Sequence, residues 1–341
     1  MNHCTGAKET DRLRFIYRAI SSCLFLVMIL TGCEAKLDLS GVNAQLSQAT
    51  QRADLLQAAA QHQDTVIVVG GMGAIVQSPD GGSNWQRTTL PDKPFLVDVA
   101  VCPDGNFHAI DKTDGIWSLL PDGTWNRQAL PEMTEPQAMA CDSSNVIWVI
   151  GGFSTILHSG DAGASWESWS LDEDLYLTTI QFIDRQHGMV TGEFGTVLFT
   201  ADGGDTWDRA VDLPDSFYPQ STYFSNPTTG WVVGLSGTIW KTENGGQSWQ
   251  HMQNGINAPL YGISGFGNTL VAVGDNATIL YNKVGDASWT PLKGATQSRS
   301  YLRGVIGLGN GQFITAGGGG ALISITIPDG GAPESTETPD E

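Results

Sequence analysis

The sequence predicts an all-β fold, a seven-bladed β-propeller, and three observations carry the prediction. A turn motif returns at residues 78–85 (SPDGGSNW), 159–166 (SGDAGASW), 200–207 (TADGGDTW) and 242–249 (TENGGQSW), with weaker copies at 120–125 and 282–289. A strand-ending position falls at Gly70, Asp111, Gly151, Gly192, Gly234, Gly274 and Gly317, in steps of 40 to 43 residues. Between markers the chain reads as an alternating run, a short apolar run, a turn, a third run and then the motif, which makes four strands per unit. Closing seven such units into a ring removes the unpaired end strands that a linear array would expose.

Taken in order, the chain opens on a targeting segment. Lys8, Arg12, Arg14 and Arg18 precede an apolar run at 19–30 (AISSCLFLVMIL) that is too short to span a bilayer comfortably. The run ends in Leu30-Thr31-Gly32-Cys33, which resembles the bacterial lipobox. The resemblance implies a signal peptide at 1–32, cleavage before Cys33 and lipid attachment at that cysteine. Glu34 follows rather than an aspartate, which favours outer-membrane sorting. Residues 33–52 read as a tether, within which 37–39 (LDL) alternates like a short strand. The propeller is placed at 53–328. Its seventh unit has no Asp-Gly-Trp turn, so 37–39 is the expected supplier of the missing outer strand. Residues 329–341 form an acidic tail that reads as disordered.

Each motif residue has a structural job. Glycine takes the positive φ of a tight turn, and the acid and hydroxyl satisfy backbone N–H groups. The tryptophan buries a large ring against neighbouring strands. Asp80, Trp85, Asp161, Trp166, Asp202, Trp207, Asn244 and Trp249 are therefore assigned as structural.

Composition narrows the functional classes. The chain has 42 glycines and only 16% charged residues, which suits many short strands joined by turns. A net charge of −19, becoming −21 once residues 1–32 are removed, argues against nucleic acid as a partner. Beyond the targeting segment the only cysteines are Cys33, Cys102 and Cys141. Cys102 and Cys141 lie near the ends of equivalent strands, and either pair in an oxidising compartment or remain two buried thiols.

Catalytic and metal chemistry find little support. The histidines of the mature chain (His62, His108, His158, His187 and His251) fall in different units, none at ligand spacing, so no metal and no cofactor is expected. The repeated turns resemble the Asp-box of bacterial neuraminidases, and a sialidase-like, carbohydrate-active enzyme is the alternative from another class. That chemistry needs three converging arginines, and the mature chain offers seven in all: Arg52, Arg87, Arg127, Arg185, Arg209, Arg299 and Arg303. A small-ligand receptor at the central channel is a further alternative.

The combined pattern Val-Val-Gly-x-x-Gly-x-Ile followed by the Asp-Gly-Gly-x-Ser/Thr-Trp turn, seen at 68–85 and 232–249, resembles the photosystem II stability/assembly factor family. The resemblance covers about residues 55–327. It implies a seven-bladed, non-enzymatic, monomeric propeller, lipid-anchored and facing the periplasm or the thylakoid lumen. It further implies binding to a membrane protein complex, either photosystem II or another envelope complex such as a transporter. Family members that act on the photosystem present an arginine-rich patch, and no arginine cluster is visible here.

One face offers a candidate partner surface. Phe95, Tyr176, Tyr218 and Tyr301 lie sixteen residues before the marker, and Tyr261 lies thirteen before it. The preceding loops carry Asp92, Glu132, Glu135, Asp172, Glu173, Asp174, Asp212 and Asp215. The expectation is an aromatic ring with an acidic rim, the arrangement of a protein-binding anchor. The alternative is that these rings pack between blades.

Overall fold

The computed structural model describes residues 48–131 and 135–327. Within them the chain forms seven antiparallel sheets, six of four strands and a last one of three. Each sheet is a meander in sequence order, as a propeller blade requires. The innermost strands run Leu56–His62, Leu96–Val101, Ala138–Cys141, Leu177–Phe182, Pro219–Phe224, Leu260–Phe266 and Leu302–Gly309. Residues 37–39, Cys33, Glu132 and the tail 329–341 lie outside the described residues. The three-stranded sheet is the seventh, ending with Leu322–Thr326.

The core is divided among the interfaces rather than pooled. Seven hydrophobic clusters each join one blade to the next. The one that closes the ring sets Leu56, Val66, Val68 and Val76 of the first blade against Ile314 and Ala316 of the seventh. Closure among the described residues is thus side-chain packing of the same kind as at every other interface. A clasp reinforces it. The buried Asp54 receives two hydrogen bonds from Arg87 of the first blade, at 2.7 and 2.9 Å, and its carbonyl accepts from Gly320 N–H of the seventh. Residues 48–52, read from the sequence as the end of the tether, belong to this clasp: Ala49 O accepts from Arg87 and Gln51 N–H donates to Asp54.

The marker glycines have a steric reason. At Gly70, Gly234, Gly274 and Gly317 an added Cβ would fall 1.9 to 2.4 Å from the carbonyl oxygen of the residue just before the same blade's innermost strand. In those four blades no side chain fits there without a shift of the backbone. Asp111 stands at this position in the second blade and becomes a buried hub, accepting from the N–H groups of Thr113, Asp114 and Gly115 and from Trp117 Nε1.

The four strong turns share one hydrogen-bond scheme. In the turn at Asp161, Ser159 Oγ donates to the carboxylate and accepts from Gly163 N–H, while Ser165 donates to it through both N–H and Oγ. Asp80 and Asp202 repeat the scheme, with Asn84 and Thr206 as the last donors. Asn244 repeats it with no charge, its Nδ2 donating to Ser248 Oγ instead. Each turn also leans on the blade before it. An added Cβ at Gly204 would meet Trp148 of the third blade at 2.1 Å, and one at Gly82 would meet Ile314 of the seventh at 2.5 Å.

Candidate functional site

The meander puts the motif turns on one face of the ring. The other face carries the second-to-third strand turns and the connections between blades. All five aromatic candidates sit on this second face, and Tyr261 among them lines the channel mouth. Phe95, Tyr176, Tyr218 and Tyr301 each immediately precede an innermost strand. The backbone carbonyls of Phe95, Tyr176 and Tyr301 accept from the N–H of Lys112, Glu193 and Gly318, which ties them to the marker turn of their own blade.

The structure brings four of the five together. Tyr261 and Tyr301 meet edge to face with centroids 6.3 Å apart. Tyr218 shares the neighbourhood of Glu193 and Arg303, and feels Tyr176. Burial, then the carboxylates of Glu135, Glu193 and Asp174, holds the Tyr176 phenol above its usual range. Tyr218, Tyr261 and Tyr301 are raised as well, first by burial. Tyr261 is not an equivalent of the others. It directly follows Leu260, the first residue of its strand, where the register breaks, whereas Tyr301 precedes Leu302. Phe95 stands apart, its ring over Gly71 of the first blade. Tyr301 likewise reaches the neighbouring blade, its hydroxyl accepting from Gln57 Nε2 at 2.9 Å. Phe95 and Tyr301 thus each touch a neighbouring element, and Phe95 stays 37% exposed on the face.

Sequence reasoning missed a second set. Met72, Phe153, Phe194 and Leu235 occupy the tips of the second-to-third strand turns, exposed by 58, 55, 63 and 44%. Met72, Phe153 and Phe194 have φ of 57, 51 and 59°, a left-handed backbone that bulky residues rarely adopt. An apolar side chain held out in water on a strained backbone serves no packing purpose. The signal was present as the first or second residue after each marker glycine, in Gly71-Met72-Gly73, Glu193-Phe194-Gly195 and Leu235-Ser236-Gly237.

The rim is acidic but partly neutralised. Arg209 bridges Glu173 at 2.9 Å and Asp212 at 3.1 Å. Arg127 pairs with Asp114 and Arg87 with Asp54, so the arginines are dispersed over separate blades. Around the inner wall, Asp98 accepts from Val99 N–H and, across the blade boundary, from Met139 N–H at 2.8 Å. Burial pushes its carboxyl up to about 6, against those two hydrogen bonds and the Arg303 charge. At the far end of the same two strands Cys102 and Cys141 are joined as a disulfide.

Comparison with known proteins bears on this geometry. Residues 164–259, the fourth and fifth blades with the turn before them, match the family model described as Photosynthesis system II assembly factor YCF48. A Photosystem II assembly lipoprotein Ycf48 of Synechococcus sp. (strain CC9902) is 28% identical over 139 residues, 38% of this chain. The chain thus spans about 41% of the length of that relative. In fold, a solved structure described as YCF48 bound to D1 peptide superposes with a TM-score of 0.68 at 13% identity, covering 81% of this chain and 93% of that one. Virginiamycin B lyase from Staphylococcus aureus superposes with a TM-score of 0.70 at 14% identity, covering 83% and 97%. The architecture alone is therefore shared by an assembly factor and by an enzyme. The chain is thus a seven-bladed β-propeller whose residues 164–259 are similar to the photosystem II assembly factor YCF48.

Proposed function

We propose that the chain is a non-catalytic binding propeller that helps assemble or stabilise a membrane protein complex from the lumenal or periplasmic side, anchored there through Cys33. The observation that carries the reading is the set of exposed apolar tips, Met72, Phe153, Phe194 and Leu235, on the face that also holds Phe95 and the tyrosines. Such a face inside an acidic surround fits an apolar protein segment. The relative from Synechococcus is named as a photosystem II assembly lipoprotein, and the YCF48 structure holds a D1 peptide. Both favour a photosystem II-type client over a transporter.

The test is capture from gently solubilised native membranes. The wild-type lipoprotein should retain photosystem II subunits, and a Phe153→Ser, Phe194→Ser double variant should lose them while melting at an unchanged temperature. A double variant that retains the same subunits would overturn the assignment of this face. Cys33→Ala, which removes the anchor, should lower the yield of complex and leave binding in detergent intact.

A further inference from the structure

The innermost strands share an irregularity that the propeller architecture does not demand. Register breaks fall between Leu56 and Ala58, Leu96 and Asp98, Leu177 and Thr179, Pro219 and Ser221, Leu260 and Gly262, and Leu302 and Gly304. Each break leaves one extra residue: Gln57, Val97, Thr178, Gln220, Tyr261 and Arg303. A bulge frees its extra residue from the ladder and re-aims the side chain. All six line one cavity of about 180 Å³, and Gln137 lines it from the third blade.

The chemistry of this bulge ring is specific. It holds three primary amides, two hydroxyls, one valine and a single formal charge, Arg303. Arg87, Arg127 and Arg209 each lie within 4 Å of a carboxylate. Arg303 has no such partner among the described residues. Its hydrogen bond is to Gln220 Oε1 across the channel, at 3.3 Å. The backbone is built to seat it: an added Cβ at Gly262 would stand 2.1 Å from Arg303 O, so the neighbouring blade makes room for this bulge with a glycine. The Arg303 charge reaches Tyr218, Tyr261 and Tyr301. A guanidinium held in a small cavity among amides and phenols is matched to an anion that can take two parallel N–H bonds. Asp98 lines the same cavity, its two carboxylate oxygens taken by Val99 and Met139 N–H, so the limited volume and the one positive charge select no more than a monoanion.

We propose that the channel mouth is a binding site for a small carboxylate flanked by amide groups. Its carboxylate lies on Arg303, and its amides lie on Gln57, Gln137 and Gln220. The site is separate from the apolar tips, and its test does not depend on the client of that face.

The experiment is calorimetric titration of the full chain in detergent with an N-acetyl dipeptide carrying a free carboxylate, and with the same dipeptide capped as the amide. The free acid should bind and the amide should bind at least about tenfold more weakly, the loss expected for a charge-assisted contact. Arg303→Gln should abolish the difference between the two. Arg303→Lys, which keeps the charge and loses the fork, should keep part of it. Arg209→Gln, on the rim, should change neither affinity. A longer peptide ending in the same dipeptide distinguishes the source of the carboxylate: equal affinity admits a chain terminus, and weaker affinity restricts the site to free small molecules. Absence of binding by the free acid, equal binding of acid and amide, or undiminished preference in an Arg303→Gln protein that melts normally would overturn the proposal.

Discussion

The two faces of the ring use similar turns for opposite purposes. On the motif face the aspartates that head the turns are saturated. Both oxygens of Asp80, Asp161 and Asp202 accept hydrogen bonds from within their own turn. Hydrogen bonds to the ionised form hold Asp161 and Asp202 down to about 2. Asn244 performs the same task without charge, so the turn needs an acceptor and not an anion. On the mouth face the turns carry apolar tips in water, and the inner wall carries an arginine with no carboxylate within 4 Å among the described residues. A residue type repeated from blade to blade marks construction. A position where the blades differ, as at Gln57, Tyr261 and Arg303, marks what the ring can bind.

That contrast breaks if substitutions on the two faces cost the same, and the largest difference should come from the aromatic wedge under the motif turns. Trp148 is buried, stacked on His158 with centroids 4.7 Å apart and set against Trp207. Trp148→Ala should destabilise the protein by about 3–5 kcal/mol in chemical denaturation. Next comes the disulfide, which spans 39 residues and ties two blades. Replacing Cys102 and Cys141 by serine should cost about 2–4 kcal/mol, measured against the oxidised protein.

A pH series sharpens the comparison, because the acids of the two regions move in opposite directions. The motif aspartates are depressed in the folded state. Their contribution is present above the unfolded value and is lost as pH falls through about 2. Asp98 is raised, so the folded protein holds a proton that the unfolded chain releases. Stability should therefore fall as pH rises from about 4 to about 6, by roughly 1–3 kcal/mol after screening by channel water. Asp98→Asn should flatten this part of a melting-temperature profile; an unchanged slope would assign the fall to another group. The smallest effect belongs to the mouth face. Phe194→Gly relieves a left-handed φ of 59° and should gain about 1 kcal/mol while weakening partner capture.

Much of this was legible in the sequence because the repeat repeats for steric and hydrogen-bonding reasons that act locally. The marker glycines, the motif turns and the aromatic residue before four of the inner strands could all be read by counting. The bulge ring could not. A bulge adds one residue without altering composition, and a one-residue shift turns a side chain to the other face. Tyr261 was for that reason grouped with Tyr301, although it occupies the position of Arg303. Arg303 itself entered only as one of the seven arginines weighed against the three converging ones of a sialidase. The turn tips were overlooked because Met72 and Phe194 sit between glycines or beside one, where turn chemistry leads one to expect polar residues.

The lean of each motif turn on the blade before it gives the ring a direction. During synthesis from the N-terminus, the turns at Gly163, Gly204 and Gly246 emerge after the blades that receive them. The turn at Gly82 is different, since its seat is Ile314, more than two hundred residues later in the chain. The first blade therefore keeps an unfilled flank until the seventh is in place. Any chaperone that attends this protein while the ring closes should be found on that flank.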